Sequence, residues 1–251
     1  MEFVKAIIMG IIQGLAEFLP ISSSGHLAIM KHILHMELDT GLLFDVLLHL
    51  GTLIAIFVAL WNDIKKLIVE GIKITGDCFS NLGALFGRTF LRREIPYKKI
   101  ISSPYRRFVM LIIVSTIPTA FIGYLFQDAI EIAGMTLLVP GLSLILTSIL
   151  LTIADRINAG TKSEETASYK DAGIIGLAQG IATIPGLSRS GTTITACLLC
   201  GFDRDYAVRY SFIMSIPAVL GAVLLELKDF SLEQVGKSDL YTYIAGTFVA
   251  G

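Results

Sequence analysis

Residues Gln13 to His26 read Q-G-L-A-E-F-L-P-I-S-S-S-G-H, which sets a carboxylate, three hydroxyls and an imidazole inside an otherwise apolar stretch. Ionisable groups at membrane depth are costly to insert and mark function by default. Serine hydroxyls such as those of Ser22, Ser23 and Ser24 are weak nucleophiles until a base takes the proton, and His26 is near enough in sequence to do so. Gly25 lets the backbone turn tightly, so that successive N–H groups can face an anion. Gln13 and Glu17 lie four residues apart and share one face of a helix. Glu17 there suits a general base, or one ligand of a hard divalent cation such as Mg2+ or Ca2+, which take oxygen donors. The plainer alternatives are a carboxyl buried for structure and a polar helix cap with a histidine at the interface.

A second copy of the stretch, Gln179 to Thr192, reads Q-G-I-A-T-I-P-G-L-S-R-S-G-T and aligns without a gap. Gln13/Gln179, Gly14/Gly180, Ala16/Ala182, Ser22/Ser188, Ser24/Ser190 and Gly25/Gly191 are identical pairs. The differences matter as much: Glu17 aligns with Thr183, Ser23 with Arg189 and His26 with Thr192. One copy carries acid, hydroxyl and imidazole and the other a cation, which predicts one composite site. An isolated arginine at mid-membrane costs about 2.5–3.5 kcal/mol on insertion scales, so something negative should face Arg189. With Ser188, Ser190, Gly191 and Thr192 around it, the guanidinium makes a cradle for a phosphate. A salt bridge from Arg189 to Glu17, tying the two copies together, is the structural alternative and equally a resting state of the site.

The elements that must position these residues follow from composition. The 251 residues are 54% hydrophobic and 16% charged, against about a quarter charged in soluble domains, and the mean hydropathy is +0.73. An all-α polytopic membrane protein is predicted, with about six transmembrane helices plus broken or re-entrant ones. The net charge of −1 says little, but ten of the 20 Lys and Arg residues fall between Lys65 and Arg107. Segment 62–107 therefore reads as a basic loop on the cytoplasmic side; a nucleic-acid-binding patch is the poorer reading. Cys197 and Cys200 form a C-x-x-C in a hydrophobic run with no second pair or nearby histidine, which predicts packing rather than zinc. The N-terminus does not read as a cleavable signal, because Q-x-x-x-E interrupts its apolar run.

Val4 to Leu34 is too polar and too broken at Pro20 and Gly25 for one span, so it reads as helix, break, helix. Such breaks persist at membrane depth only where protein or a water-filled cavity satisfies the backbone. Leu42 to Trp61 is a span carrying Asp45 and His49 on one face, with Trp61 as an interfacial anchor. Ile64 to Thr75 reads as an amphipathic helix on the membrane surface. Phe108 to Phe126 and Met135 to Ala154 are spans, each with a proline expected to kink it, Pro118 and Pro140. Gln127 to Gly134 links them on the outer side, and Asp155 to Asp171 is a second inner loop or linker. Ala172 to Gly201 is the second broken segment, interrupted at Pro185-Gly186, and Val208 to Leu227 is a further span. Tyr241 to Gly251 begins an apolar run too short to cross, as if a last helix were missing from the sequence. The duplication predicts a single membrane domain of two related halves, 1–134 with its motif at 13–26 and 135–251 with its motif at 179–193. Inverted repeats whose broken helices meet near the midplane are the expected arrangement.

Together, Q13-G-L-A-E-F-L-P-I-S-S-S-G-H26 and P185-G-L-S-R-S-G-T-T193 resemble the two motifs of the undecaprenyl-diphosphate phosphatase family, often called BacA, and F44-D-V-L-L-H-L-G-T52 resembles the segment that follows the first. The resemblance covers nearly the whole chain. It implies hydrolysis of undecaprenyl diphosphate to the monophosphate lipid carrier of peptidoglycan synthesis, bacitracin resistance, and a requirement for a divalent cation. Carried over residue by residue, it makes Glu17, Ser23, His26 and Arg189 the essential set, with Gln13 standing where many members have glutamate. It also implies a plasma (inner) membrane location, a pocket opening to the outer side, and the lipid diphosphate and the bilayer as partners; a homodimer is compatible with it. Two assignments stay open: Ser23 as nucleophile with His26 as base and Glu17 orienting it or holding Mg2+, or His26 as nucleophile. A polyprenyl-phosphate transporter or flippase using the same pocket is the alternative function, since a carrier needs Arg189 but no nucleophile.

Overall fold

The computed structural model of the chain describes residues 2–36, 41–91, 95–228 and 237–251. Among them every regular element is helical: α1 (Glu2–Phe18), α2 (Ser23–Ile33), α3 (Gly41–Ala59), α4 (Trp61–Leu91), α5 (Pro104–Leu125), α6 (Gln127–Gly134), α7 (Leu138–Arg156), α8 (Tyr169–Ile181), α9 (Arg189–Leu199), α10 (Arg204–Lys228) and α11 (Lys237–Ala250). Helices satisfy their own backbone groups, which is what hydrocarbon demands of a spanning element. Three are long and apolar enough to cross a membrane, in α5, α7 and α10, and a fourth span arises if α3 and α4, bent by 86° at their junction, count as one. Both segments are broken as expected: residues 19–22, with Pro20, separate α1 from α2, and Pro185-Gly186 lies between α8 and α9, but Gly25, expected to interrupt the first segment, lies inside α2.

Three expectations change. The basic segment 62–107 is mostly helix: α4 continues to Leu91, and residues 95–103 run back beside it, with Asn81 Nδ2 donating to Lys98 O and Lys98 N to Asn81 Oδ1. The helix expected over Ile64 to Thr75 is thus the first part of α4, and apolar residues at helical spacing continue beyond it through Phe79, Leu82, Phe86 and Phe90. Arg92 and Arg93 of that segment lie outside the described residues. The link Gln127–Gly134 is itself a short helix, α6. Pro140 kinks nothing, because it sits in the first turn of α7, where its missing N–H has no acceptor to lose. Pro118 does lie inside α5.

Each motif-bearing helix is packed by a helix from far along the chain. α11 runs along α1 and against α3, while α5 runs along α8 and against α10. The α5–α8 seam is tight at Gly176, where a Cβ would come within 2.1 Å of Ser115 O, so only glycine fits. Thr119 Oγ1 crosses this seam to Gly176 O at 2.9 Å. One core beside it gathers Phe108, Leu111, Ile175, Phe202, Tyr206 and Tyr210; another, around α1, gathers Ala6, Met9, Leu27, Phe44, Leu48 and Tyr243. Tyr210 is fully buried, and its hydroxyl is satisfied by Leu111 O at 3.0 Å and Ser115 Oγ at 3.2 Å. These packed seams hold the two breaks in place. Cys197 and Cys200 are free, with Cys197 buried in the first core, so the C-x-x-C is packing.

Candidate active site

The two motifs fold the same way locally. Ser22 caps α2 by accepting Gly25 N on its Oγ at 3.3 Å, and Ser188 caps α9 by accepting Gly191 N at 3.0 Å. In each case the second serine of the pair lies 3.4 Å from the cap, Ser24 from Ser22 and Ser190 from Ser188. Ser22 takes φ 73°, an unfavourable region for serine; such strain costs about 1–3 kcal/mol and persists only where the surroundings fix it. Ser22 and Ser188 thus turn inward as caps.

The breaks meet face to face. Gly186 N donates to Ser24 Oγ at 3.1 Å, a Cβ on Gly25 would come within 3.1 Å of Gly186 Cα, and one on Gly191 within 2.9 Å of Pro20 O. Gly186 has φ 87° and lies so close to Pro140 O that no side chain fits. Thr147 of α7 braces the second break, its Oγ1 accepting Ser188 N at 3.0 Å. α2 and α9 both begin at this seam, where unpaired first-turn N–H groups and the positive helix ends favour an anion.

Glu17, in the last turn of α1, is the hub. Its Oε2 accepts Ser23 Oγ at 2.6 Å and Gln13 Nε2 at 3.2 Å, and its Oε1 is paired with Arg189 Nη2. Glu17 and Ser23 are each 8% exposed, whereas the Arg189 side chain is 23% exposed. Its other N–H groups bind no protein group among the described residues. Buried without a partner nearby are Gln13 Oε1 and Thr192 Oγ1. A guanidinium with spare donors, an orphan hydroxyl and two helix N-termini make a site for an anion larger than one carboxylate.

All twelve residues singled out in the sequence lie in or beside this seam, but their pairing differs from expectation. Ser23 donates to Glu17 and not to His26. His26 Nδ1 is 2.8 Å from Ser22 O; a carbonyl only accepts, so Nδ1 carries a proton, and in the neutral ring the lone pair is on Nε2. Glu17 does not orient His26. One participant was missed: His49 of α3, read with Asp45 on one face, lies 2.8 Å from Gln13 Nε2 and 3.6 Å from Glu17 Oε2 through its Nδ1. Asp45 instead pairs with Lys31 at 2.5 Å. The available signal was the histidine itself, which with Asp45 interrupts an otherwise apolar helix.

The donors do not fit a resident divalent cation. Glu17 is the only carboxylate that reaches the seam among the described residues, and both its oxygens are taken by Arg189, Ser23 and Gln13. No group of three or more His, Cys, Asp or Glu side chains able to hold a metal occurs among the described residues.

Comparisons with known proteins agree with this architecture. The family model for the bacitracin resistance protein BacA matches residues 6–251. The chain is 41% identical over 251 residues to an undecaprenyl-diphosphatase of Methanosphaera stadtmanae, covering 100% of this chain and 86% of that one. It is 39% identical over 246 residues to one of Alkaliphilus metalliredigens, covering 98% and 84%. A third, from Methanobrevibacter smithii, is 42% identical over 231 residues, covering 91% and 78%. With the family model spanning both broken-helix motifs and the seam where they join, the chain belongs to the BacA family.

Proposed function

We propose that this chain is a multi-pass membrane phosphatase that hydrolyses undecaprenyl diphosphate to undecaprenyl phosphate and inorganic phosphate, with the seam between its two motifs as the active site. The observation that supports this most is the chain Ser23–Glu17–Arg189, which joins a hydroxyl, a proton acceptor and a phosphate-binding cation drawn from both motifs. The relatives are named for this activity, and a transporter, the alternative, needs no hydroxyl held on a carboxylate. Recycling of the carrier for peptidoglycan synthesis and bacitracin resistance follow from the reaction.

The lipid tail stays in the bilayer while the diphosphate enters the seam. Arg189 turns from Glu17 to the terminal phosphate, helped by the first-turn N–H groups of α2 and α9 and by Thr192. Ser23 Oγ attacks the terminal phosphorus and its proton passes to Glu17 Oε2. The bond from phosphorus to the bridging oxygen breaks, and undecaprenyl phosphate leaves with its negative charge neutralised by Arg189. Water then attacks the phosphoserine; as the phosphorus–Oγ bond breaks, Glu17 Oε2 returns its proton to Ser23 Oγ, and inorganic phosphate leaves with the protons of the water shared between it and solvent. Most of the acceleration comes from positioning and charge stabilisation, as in other phosphoryl transfers.

A second reading has its own observation. With Nδ1 bound to Ser22 O, His26 presents Nε2 with a lone pair, so His26 can attack and form a phosphohistidine. The divalent cation implied by the resemblance enters as the counter-ion of the diphosphate substrate. By the positive-inside rule α4 and residues 95–103 lie on the cytoplasmic side, which is compatible with the outward-opening pocket that the resemblance implies.

The test is phosphate release from undecaprenyl diphosphate by the purified chain in detergent. Release by wild type that is lost in Arg189→Ala and Ser23→Ala is the expected result. Full turnover in Ser23→Ala, with loss in His26→Ala, moves the nucleophile to His26, and no release from a folded wild type refutes the phosphatase.

A further inference from the structure

Glu17 is held on Ser23 from behind by a residue outside both motifs. His49 lies midway along α3, and its Nδ1 is 2.8 Å from Gln13 Nε2. The same Nε2 donates to Glu17 Oε2, the oxygen that also receives Ser23. Charge fixes the orientation of this amide: turned over, it would set its own oxygen against the carboxylate, and a carboxylate oxygen requires a donor. Nε2 therefore donates to His49 as well, which makes Nδ1 the lone-pair nitrogen and puts the ring proton on the other side.

The arrangement matters most once substrate is bound. Arg189 grips Glu17, but among the described residues Arg189 is also the only cation beside the seam placed to hold the phosphate. When it turns away, Glu17 keeps only Gln13 and Ser23. Gln13 is fully buried and its Oε1 has no partner, so apart from Glu17 itself its long side chain is fixed at the far end by His49. His49 has a firm base, because α3 is packed by α1, α10 and α11 and Leu48 beside it is fully buried. The charged groups near the ring are Glu17 from α1, Arg189 of α9 through Glu17, and Asp45 of α3, the last paired with Lys31 of α2.

We infer that His49 is a positioning residue for the phosphoryl transfer: through the Gln13 amide it keeps Glu17 Oε2 aimed at Ser23 after Arg189 has moved to the phosphate. The inference rests on the reading of Glu17 as the acceptor of the Ser23 proton. Its chemistry is that of a hydrogen-bond acceptor, so another acceptor at the place of Nδ1 should serve. Asparagine offers one.

Release of phosphate from undecaprenyl diphosphate, measured against substrate concentration, tests it with wild type, His49→Ala, His49→Asn, Glu17→Gln and the double variant His49→Ala/Glu17→Gln. His49→Ala is expected to lower kcat about 10- to 100-fold, the scale of a misplaced catalytic group, with KM nearly unchanged. The midpoint of thermal unfolding in detergent should stay where it is, and His49→Asn should recover most of kcat. In the Glu17→Gln background, His49→Ala should add less than about twofold, since a residue acting through Glu17 has nothing left to position. An unchanged kcat in His49→Ala, an asparagine variant no better than alanine, or a full further loss in the Glu17→Gln background would overturn the inference. Full turnover in Ser23→Ala is a separate failure, that of the nucleophile assignment, and the His49–Glu17 cycle is read independently of it.

Discussion

Arg189, the first residue of α9, donates through Nη2 to Oε1 of Glu17 in the last turn of α1, so the two copies of the motif are joined by their two opposite charges. Removing one partner leaves the other buried and unpaired, which costs about 3–5 kcal/mol in buried pairs. Arg189→Ala should therefore destabilise the chain by a few kcal/mol as well as abolish phosphate release. Adding Glu17→Gln removes the stranded charge and should restore part of the lost stability while activity stays absent. Thermal unfolding in detergent, with and without the second change, separates the two effects. Equal stability of wild type and Arg189→Ala would show that the pair does not tie the halves together.

Glycines at two places should respond in opposite directions to the same added methyl group. Gly186 has φ 87°, and its Cβ would lie 2.4 Å from Pro140 O. Gly186→Ala should destabilise by about 1–3 kcal/mol from backbone strain alone, and loss of phosphate release should accompany it because Gly186 N also holds Ser24. Gly76 lies inside α4 with nothing within 4 Å of its Cβ position. Gly76→Ala should stabilise by about 0.5–1 kcal/mol through helix propensity and leave activity unchanged. Unfolding midpoints of both variants check the contrast.

Much of this site was legible because its chemistry is written in short contiguous stretches. Ser23 and His26 sit together in one motif, Arg189 aligns with Ser23 in the second, and polar residues at membrane depth cannot be accidental. The breaks were legible from Pro20 and Pro185-Gly186. What stayed hidden depends on three-dimensional packing. Which group the Ser23 hydroxyl donates to is decided by where α1 ends relative to α2: spacing within the motif pointed to His26, and the hydrogen bond runs to Glu17. His49 was visible as an odd residue, but its direction is set by the packing of α3 against α1. Of α4 only the part over Ile64 to Thr75 was read as helix, because the basic residues that follow dominated a helical period that continues to Leu91.

The junction of α4 with the start of α5 should be sensitive to acid. Glu70 is held below the ordinary carboxylate range by its hydrogen bond from Lys73 and then by that from Arg106, and Asp77 by Arg106 and then Lys98. Arg106 Nε donates to Glu70 at 2.9 Å and Arg106 Nη1 to Asp77 at 2.8 Å. A carboxylate with a lowered folded pKa contributes stability above its unfolded value, near pH 4, and that contribution is lost as pH falls through the folded value. Protection of α4 and of residues 95–103 in hydrogen exchange should therefore be constant from pH 7 to about pH 5 and decline below about pH 4. Arg106→Gln should lower the protection at pH 7 and flatten its acid dependence. Identical pH profiles for the two chains would mean that this clamp is not what holds the segment.

A cation is the last group to assign, and the seam makes a prediction about it without substrate. Mg2+ and Ca2+ take oxygen donors, and tight sites supply several carboxylates. Here Glu17 stands alone, with Arg189 on one oxygen and Ser23 and Gln13 on the other. A cation on Glu17 would have to displace Arg189 from one oxygen or Ser23 and Gln13 from the other, with no second carboxylate among the described residues of the seam to complete its shell. The purified chain, dialysed against EDTA, should thus retain less than stoichiometric metal by elemental analysis and bind added Mg2+ more weakly than about 1 mM by calorimetry. Arg189→Met, which frees Oε1 and removes the competing charge, should bind the cation more tightly than wild type. Stoichiometric metal retained by wild type would overturn this and require Glu17 to give up Arg189 on one oxygen or Ser23 and Gln13 on the other.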